Sequence, residues 1–143
     1  MTVLIDSSVW IDHLRGARTR ETAMLGALLA RLDPELEGDE LETSANLLVG
    51  DLVLCEVLRG IPDPREHAVV KDILLSFELV TIGGIDLALK AADHCRTLRR
   101  RGVTVRKTID LLIGTYCIAT DCTLLHSDRD FDPMTRHLGL RAL

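Results

Sequence analysis

Four acidic residues, widely separated along the chain, occupy positions from which an α/β protein could use them chemically. Asp6 and Asp128 each follow a short apolar run of the kind that forms a buried strand. Asp110 is the only charged residue in the apolar stretch 108–120, and Glu56 lies in a helical pattern with apolar neighbours one turn before it. In an open parallel sheet, functional groups collect beyond the carboxyl ends of the strands. The four carboxylates are therefore candidates for a single site.

Four carboxylates brought together would repel one another strongly. At a separation of about 5 Å and an effective dielectric constant near 20, each pair costs about 3 kcal/mol, and the six pairs together cost on the order of 20 kcal/mol. A domain cannot carry that cost unrelieved. Either some of the acids are protonated or a divalent cation lies among them, and an all-oxygen ligand set favours Mg²⁺ or Mn²⁺. Such an ion can activate a water molecule for in-line attack on a phosphodiester.

Each acid also has a purely structural interpretation. Asp6 and Asp128 could cap the helices that follow them, and Asp110 could complement the dipole of the first turn of its helix. Glu56 could be a solvated or salt-bridged helical residue. The sequence leaves these alternatives open for each residue taken singly.

Short apolar runs alternate with helical patterns along the whole sequence. This alternation predicts a parallel sheet covered on both faces by helices. The predicted strands cover residues 3–5, 46–50, 79–82 and 123–126, and the predicted helices cover 7–14, 19–32, 51–60, 65–76, 86–102, 108–120 and 129–137. Asp51 is predicted to cap the third of these helices, and the acidic stretch 33–42 is predicted to be an exposed loop of open role.

The composition limits the classes of protein to consider. A chain of 143 residues with 47% hydrophobic and 27% charged residues fits one globular domain spanning residues 1–143. A net charge of −5 and an aromatic content of 3% argue against a protein that coats nucleic acid or stacks single-stranded bases. No apolar run reaches the length of a membrane span, and the expected compartment is the cytosol. The four cysteines contain no C-x-x-C pair and are expected to be buried, reduced thiols.

A cluster of basic residues precedes Asp110. It could position the phosphates of a nucleic acid, because guanidinium groups grip phosphate oxygens. It could equally be a helix C-terminus that complements its own dipole, followed by a solvated loop. The six residues, which we call the basic cluster, are Arg96, Arg99, Arg100, Arg101, Arg106 and Lys107, and no acid lies between residues 94 and 109.

Four segments together resemble the successive motifs of PIN-domain ribonucleases of the VapC toxin type. They are Val-Leu-Ile-Asp-Ser-Ser-Val-Trp-Ile-Asp at residues 3–12, Leu-Cys-Glu-Val-Leu-Arg-Gly at 54–60, Thr-Ile-Asp-Leu-Leu-Ile-Gly-Thr at 108–115 and His-Ser-Asp-Arg-Asp-Phe at 126–131. The resemblance implies a three-layer α/β/α sandwich with a central, mainly parallel sheet. It also implies an Mg²⁺- or Mn²⁺-dependent endoribonuclease whose substrate could be tRNA, a homodimer, and a cognate VapB-type antitoxin that inhibits it.

The resemblance assigns roles to particular residues of this sequence. The family usually has Thr where this chain has His126, and this departure puts a hydroxyl contact in doubt. His126 could contact a substrate phosphate or a metal-bound water, or it could simply be packed at a strand end. The implied catalytic and metal-binding residues are Asp6, Glu56, Asp110 and Asp128, with Asp130 as an auxiliary acid and Ser8 as the small hydroxyl residue near the site.

Two other functions remain as alternatives. A phosphoacceptor receiver domain has a similar length and an acidic pocket, but it requires a lysine at the end of a late strand, and Lys71, Lys90 and Lys107 are poorly placed for that role. A catalytically silent PIN-fold protein that only binds its partner would keep the fold, although the presence of all four acids argues against it.

Overall fold

The computed structural model describes residues 1–32 and 45–143, so the predicted acidic loop at 33–42 lies outside the described residues. Within them, four strands form one parallel sheet in the order β3-β2-β1-β4. Leu4 of the central strand pairs with Leu48 on one side and Leu124 on the other. The strands are β1 (Thr2–Ile5), β2 (Asn46–Gly50), β3 (Glu78–Val80) and β4 (Thr123–Leu125).

Seven α-helices connect and cover the strands in the described part of the chain. Helices α1 to α4 pack among themselves, and α5 packs against α6 and α7. The helices are α1 (Ser7–Leu14), α2 (Arg20–Ala30), α3 (Asp51–Leu58), α4 (Pro64–Leu75), α5 (Ile85–Arg100), α6 (Thr108–Thr120) and α7 (Asp132–Leu138), with a 3₁₀ turn at Arg129–Phe131 before the last. The predicted α/β/α sandwich with a parallel sheet is confirmed.

The strand order creates a switch point between β1 and β4. From β1 the chain moves outward in one direction through β2 to β3, and then returns to the other side of β1 for β4. Because parallel crossovers are right-handed, the connections made in the two directions lie on opposite faces of the sheet. A crevice opens at the carboxyl ends of the two strands where the direction reverses. Asp6 and Asp128 follow these two strands.

The strands are apolar because both of their faces are covered. Val3, Leu4 and Ile5 of β1 are completely buried, as are Leu124 and Leu125 of β4. A strand buried on both faces needs a continuous apolar run in place of alternation. This explains why the short runs were sufficient to predict strands.

The junction of β2, α3 and β3 differs from prediction. Gly50, not Asp51, occupies the N-cap position of α3. The Asp51 carboxylate accepts hydrogen bonds from the backbone N–H groups of Leu52 and Ile82, each at 2.8 Å. Ile82 thus lies beyond β3, which ends at Val80. A Cβ atom at position 50 would overlap the end of the Ile82 side chain, so a larger residue there would require that side chain to move.

The prediction of buried cysteines is correct for Cys117 and Cys122 but wrong for Cys55, which is exposed on α3, while Cys95 is partly buried. Cys55 lies on the side of α3 opposite the buried Val53 and Val57, a distinction that the sequence of a short, largely apolar helix does not reveal.

In residues 1–32 and 45–143, no helix combines the length and apolar character needed to cross a bilayer.

Candidate active site

Asp6 lies at the switch point and is almost fully buried, with 3% of its surface exposed. Its backbone N–H donates to Leu125 O of β4 at 2.9 Å, which fixes it beside the neighbouring strand. Its Oδ2 atom caps α1 by accepting from Ser8 N at 3.0 Å, and it also accepts from Ser8 Oγ at 2.5 Å. Its Oδ1 atom is buried and has no hydrogen-bond partner among the described residues. Asp6 is therefore a helix cap that keeps one oxygen available.

Burial raises the pKa of Asp6, and the hydrogen bonds from Ser8 and Ser7 counteract part of that increase. A carboxylate removed from water is costly to ionise unless a positive charge accompanies it. The environment of Asp6 therefore favours either a proton or a cation on this side chain.

Asp110 lies in the first turn of α6 and is also buried, because the same face carries Ile113, Gly114 and Cys117. Desolvation is the largest cause that raises the pKa of Asp110 to about 6; Lys107 opposes the rise, and the charges of Asp6, Asp128 and Glu56 add to it. The three acids predicted to join Asp110 are thus its electrostatic neighbours. Its Oδ2 atom is buried without a hydrogen bond.

Asp128 and Asp130 bring further carboxylates to Asp110. One oxygen of each of these three residues lies within 4.8 Å of the others. Asp128 also caps the 3₁₀ turn by accepting from Asp130 N at 2.9 Å. Burial alone would raise the pKa of Asp128, but hydrogen bonds from Lys107 and from Asp130 N bring it below its ordinary value. The capping role considered for Asp128 therefore coexists with membership in this group, whereas Asp6 caps α1 and lies outside the group, near enough for its charge to act on Asp110.

A network of hydroxyl groups orients the acids, and most of it could not be foreseen. Ser7 Oγ donates to Glu56 Oε1 at 3.2 Å and so links α1 to α3. Ser127 N donates to Ser8 Oγ at 3.3 Å, and Ser127 Oγ donates to Asp12 at 3.4 Å. The serines stand next to the acids in the sequence, and this adjacency is the only signal that could have identified them.

His126 is packed at the end of β4. Its ring lies against Phe131 with centroids 4.8 Å apart, and its Nδ1 atom is buried without a hydrogen-bond partner in the described part of the chain. The histidine is close enough for a positive charge on it to lower the pKa of both Asp6 and Asp128. The packing role is thus present, and contact with a ligand stays a prediction.

Lys107 lies among the carboxylates. Its Nζ atom is 2.7 Å from Asp128 Oδ2, 3.5 Å from Asp130 Oδ2 and 3.7 Å from Asp110 Oδ2. The hydrogen bond to Asp128 is the main reason that the pKa of Lys107 is raised. The sequence placed this residue in the basic cluster, whereas the structure places its ammonium group in the acidic site.

Comparisons with known proteins agree with this arrangement. The sequence matches the PIN domain family over residues 3–136. The chain belongs to the PIN domain family. It is 26% identical over 140 residues to VapC ribonuclease Mb1587 of Mycobacterium bovis and to ribonuclease VapC11 of Mycobacterium tuberculosis, covering 98% of this chain and 96% of each relative.

Solved structures share the fold of this PIN domain. VapBC2 from Rickettsia felis, solved with a DNA fragment from its promoter, aligns with a TM-score of 0.72 and 16% identity over all of this chain and 98% of that one. VapBC-1 from nontypeable Haemophilus influenzae aligns with a TM-score of 0.69 and 16% identity over 100% and 97% of the two chains.

The residues of this PIN domain fit a hard divalent cation. Two buried carboxylate oxygens, Asp6 Oδ1 and Asp110 Oδ2, have no hydrogen-bond donor in residues 1–32 and 45–143. Asp110 Oδ2 has an ion pair with Lys107 Nζ at 3.7 Å but no hydrogen bond. Buried polar atoms are normally satisfied, so both oxygens, which lie near other acids, can accept a metal ion. Oxygen ligands of this type suit Mg²⁺ and Mn²⁺ better than softer metals.

The basic cluster divides into two parts around this site. Arg106 and Lys107 line a depression of about 250 Å³ together with Asp110, Arg129 and Asp130. Of the remaining four members, Arg96 pairs with Asp93 on its own helix at 3.5 Å, and the others are exposed at the end of α5. A second depression of about 660 Å³ is lined by Asp128, Arg129 and Arg136 among others, and it shares Arg129 with the first. The sequence analysis did not single out these two arginines.

Proposed function

We propose that this PIN domain, taken as one unit over residues 1–143, is a metal-dependent endoribonuclease and the toxin of a toxin–antitoxin system. The observation that carries the proposal is the grouping of Asp110, Asp128 and Asp130, whose carboxylate oxygens lie within 4.8 Å of one another, with the charges of Asp6 and Glu56 close enough to raise the pKa of Asp110. The VapC ribonuclease relatives, matched over almost their full length, support a nuclease with RNA as its substrate.

Asp6, Asp110 and Asp128 would hold the ion, with Glu56 bound directly or through water and Asp130 at the rim. When bound, Mg²⁺ or Mn²⁺ would lower the pKa of a coordinated water and offset the negative charge on the phosphodiester. The chain contributes the positioning of these groups: Ser8 fixes the rotamer of Asp6, Ser7 holds Glu56, and Asp130 N holds Asp128. Such fixed ligands are preorganised, which keeps the cost of reorganisation low during the reaction.

Hydrolysis in this site would join the water oxygen to phosphorus and break the bond from phosphorus to the 3′ oxygen. The leaving oxygen takes up a proton and becomes a 3′ hydroxyl, while the phosphate remains on the 5′ end of the downstream fragment. Both products follow from attack by water, and no ribose 2′-hydroxyl takes part. The chemistry of the product ends therefore reports the mechanism.

The path of the RNA is proposed to cross the two depressions that share Arg129. Arg129 contributes to both of them, with Arg106 in the smaller and Arg136 in the larger. A polyanion approaching an acidic site needs nearby cations to hold its phosphates. These three arginines lie in those depressions, whereas Arg99, Arg100 and Arg101 line neither.

Replacing both Arg129 and Arg136 with alanine is expected to weaken RNA binding about tenfold or more at 100 mM salt. The slope of log affinity against log salt concentration should also become shallower, by an amount equivalent to up to two phosphate contacts. The matched variant, in which Arg99 and Arg100 become alanine, should change both quantities less. Filter binding of a labelled RNA over a series of salt concentrations measures the affinity and its slope. All of these variants also carry Asp110→Asn, so that the RNA is not cleaved during the assay. A larger effect of the α5 pair would instead assign the phosphate contacts to the end of that helix.

A VapB-type antitoxin is proposed as the protein partner, and a homodimer as the assembly. The support is that similar folds occur in structures of VapBC from Rickettsia felis and Haemophilus influenzae. A cytosolic location belongs to the same proposal, because cellular RNA is the proposed substrate. tRNA is the proposed class of target.

The test is incubation of the purified protein with total RNA, with and without Mg²⁺ or Mn²⁺, followed by mapping of the cleaved ends. We expect metal-dependent cuts that leave 5′-phosphate and 3′-hydroxyl ends. Cyclic phosphate ends would contradict water as the nucleophile. The absence of cleavage with either metal, by a protein that binds the metal, would favour the alternative of a catalytically silent PIN domain that binds only its partner. The family match gives no support to the alternative of a receiver domain.

A further inference from the structure

The ammonium group of Lys107 is placed where a cation would be expected. It contacts one oxygen each of Asp128, Asp130 and Asp110 at 2.7, 3.5 and 3.7 Å. These are the three residues whose carboxylate oxygens lie within 4.8 Å of one another. A single positive charge therefore interacts with the whole exposed side of the acidic cluster.

The position of Lys107 in the chain explains how it reaches the cluster. It is the N-cap residue of α6 and stands three residues before Asp110, so its side chain starts on the same face of the first turn. Its flexible stem extends to Asp128, which is 21 residues further along the chain. More than half of the side chain, 56%, is exposed, so the stem is not locked in the core. The ammonium group can leave the cluster without disrupting packed residues.

A metal ion and this ammonium group cannot share the cluster at low cost. Mg²⁺ binds carboxylate oxygens at about 2.1 Å. An ion on the Asp128 oxygen that Lys107 contacts would therefore lie within about 5 Å of Nζ. Two like charges at that distance repel by several kcal/mol at an effective dielectric constant of about 20. The carboxylates gain more from the doubly charged ion, which can also approach the buried oxygens Asp6 Oδ1 and Asp110 Oδ2 that have no hydrogen bond among the described residues.

We propose that Lys107 is a built-in counterion of the metal site, which neutralises the carboxylates before the metal binds and must swing out of the cluster when it does. The inference rests on the proposed function for the presence of a metal site. It assigns to Lys107 a role in setting the metal affinity, distinct from contact with RNA. The metal-free protein gains stability from the lysine, and the metal-bound protein does not.

The test uses Lys107→Met, which keeps the apolar stem and removes the charge, and Lys71→Met as the matched control at an exposed position on α4. Each full-length protein is stripped of metal and titrated with Mn²⁺ in a calorimeter, and its melting temperature is measured with and without the ion. We expect Lys107→Met to bind Mn²⁺ at least tenfold more tightly than the unaltered protein. The melting temperature of Lys107→Met should be lower than that of the unaltered protein without metal, and the two should be equal at saturating metal. Lys71→Met should leave the Mn²⁺ affinity unchanged.

Lys107→Gln serves as a second variant, and it should behave like Lys107→Met if the charge is responsible. An unchanged or weaker Mn²⁺ affinity in both Lys107 variants, with the unaltered protein still binding, overturns the counterion role and leaves the proposed nuclease intact. If neither the unaltered protein nor the variants bind Mn²⁺, the proposed metal site itself is overturned. A loss of stability that persists at saturating metal would show that Lys107 has only a structural role.

Discussion

Replacing Asp110 with asparagine is expected to lower kcat/KM for RNA cleavage by roughly three orders of magnitude, because the variant lacks a charged ligand at the centre of the site. The same substitution should raise the free energy of unfolding of the metal-free protein by about 1–2 kcal/mol at pH 8. Both effects have one cause: the side chain is buried among other acids, and its charge is tolerated only in the presence of a cation. Single-turnover cleavage assays and urea unfolding measure the two effects.

The stability effect has a definite pH dependence. Burial raises the pKa of Asp110 in the folded protein to about 6 from an ordinary value of 3.8. The folded state therefore binds a proton more readily than the unfolded chain, so Asp110 lowers the free energy of unfolding progressively as the pH rises from about 4 to about 6, and by a constant amount above that. The advantage of Asp110→Asn should be complete above about pH 7 and should vanish as the pH falls below 4.

Asp86→Asn is the matched control, because Asp86 also lies in the first turn of a helix, α5, but is exposed. It should change neither RNA cleavage nor unfolding by a comparable amount. Cleavage by Asp110→Asn at the unaltered rate would contradict the assigned site. A destabilised Asp110→Asn protein would show that the carboxylate mainly complements its helix dipole.

Mn²⁺ or Mg²⁺ is expected to stabilise the protein strongly. At a free concentration 100 times its Kd, an ion that binds only the folded state adds about 2.7 kcal/mol to the free energy of unfolding. For a domain of this size, that corresponds to an increase in Tm of about 8 °C. The gain arises because the ion contacts the buried oxygens of Asp6 and Asp110 that have no hydrogen bond among the described residues, and because it reduces the repulsion among the acids. Differential scanning fluorimetry over a series of metal concentrations measures it.

The control for general charge screening is NaCl at matched ionic strength, which should give little stabilisation. Most of the metal-induced increase in Tm should be lost in Asp6→Asn and in Asp110→Asn, since each variant lacks a proposed ligand. Equal stabilisation of the unaltered protein and both variants would mean that the ion binds elsewhere. In that case, the convergence of the carboxylates would need another explanation.

The positions of the acids could be predicted because they depend on the ends of strands and on the apolar face of one helix. Asp6 and Asp128 follow the two strands that flank the switch point, and Asp110 is the only charge on α6. Short apolar runs fix the strands, and a parallel sheet then brings their carboxyl ends to one edge. The geometry of the carboxylates follows from the strand order, which the alternation of elements strongly restricts.

The contacts of individual side chains could not be predicted in the same way. The position of Lys107 three residues before Asp110 gives no indication that its ammonium group reaches Asp128, 21 residues further along the chain. Likewise, the sequence does not reveal that Asp51 accepts a hydrogen bond from Ile82 N, because the two residues are 31 positions apart and meet only where β2 and β3 lie side by side. These features depend on distances between elements that are remote in the chain. Periodicity and spacing carry information only about neighbours on one element.

The sheet joins the beginning of the chain to its end, since Val3 of β1 pairs with Thr123 of β4. During synthesis, the first strand leaves the ribosome long before its neighbour has been translated. A truncated or half-made polypeptide therefore has Asp6 but lacks the partner strand that brings Asp128 alongside it. On the proposed function, the group of carboxylates is complete only once β4 and Asp128 have been added, so a copy that ends before β4 should not cleave RNA.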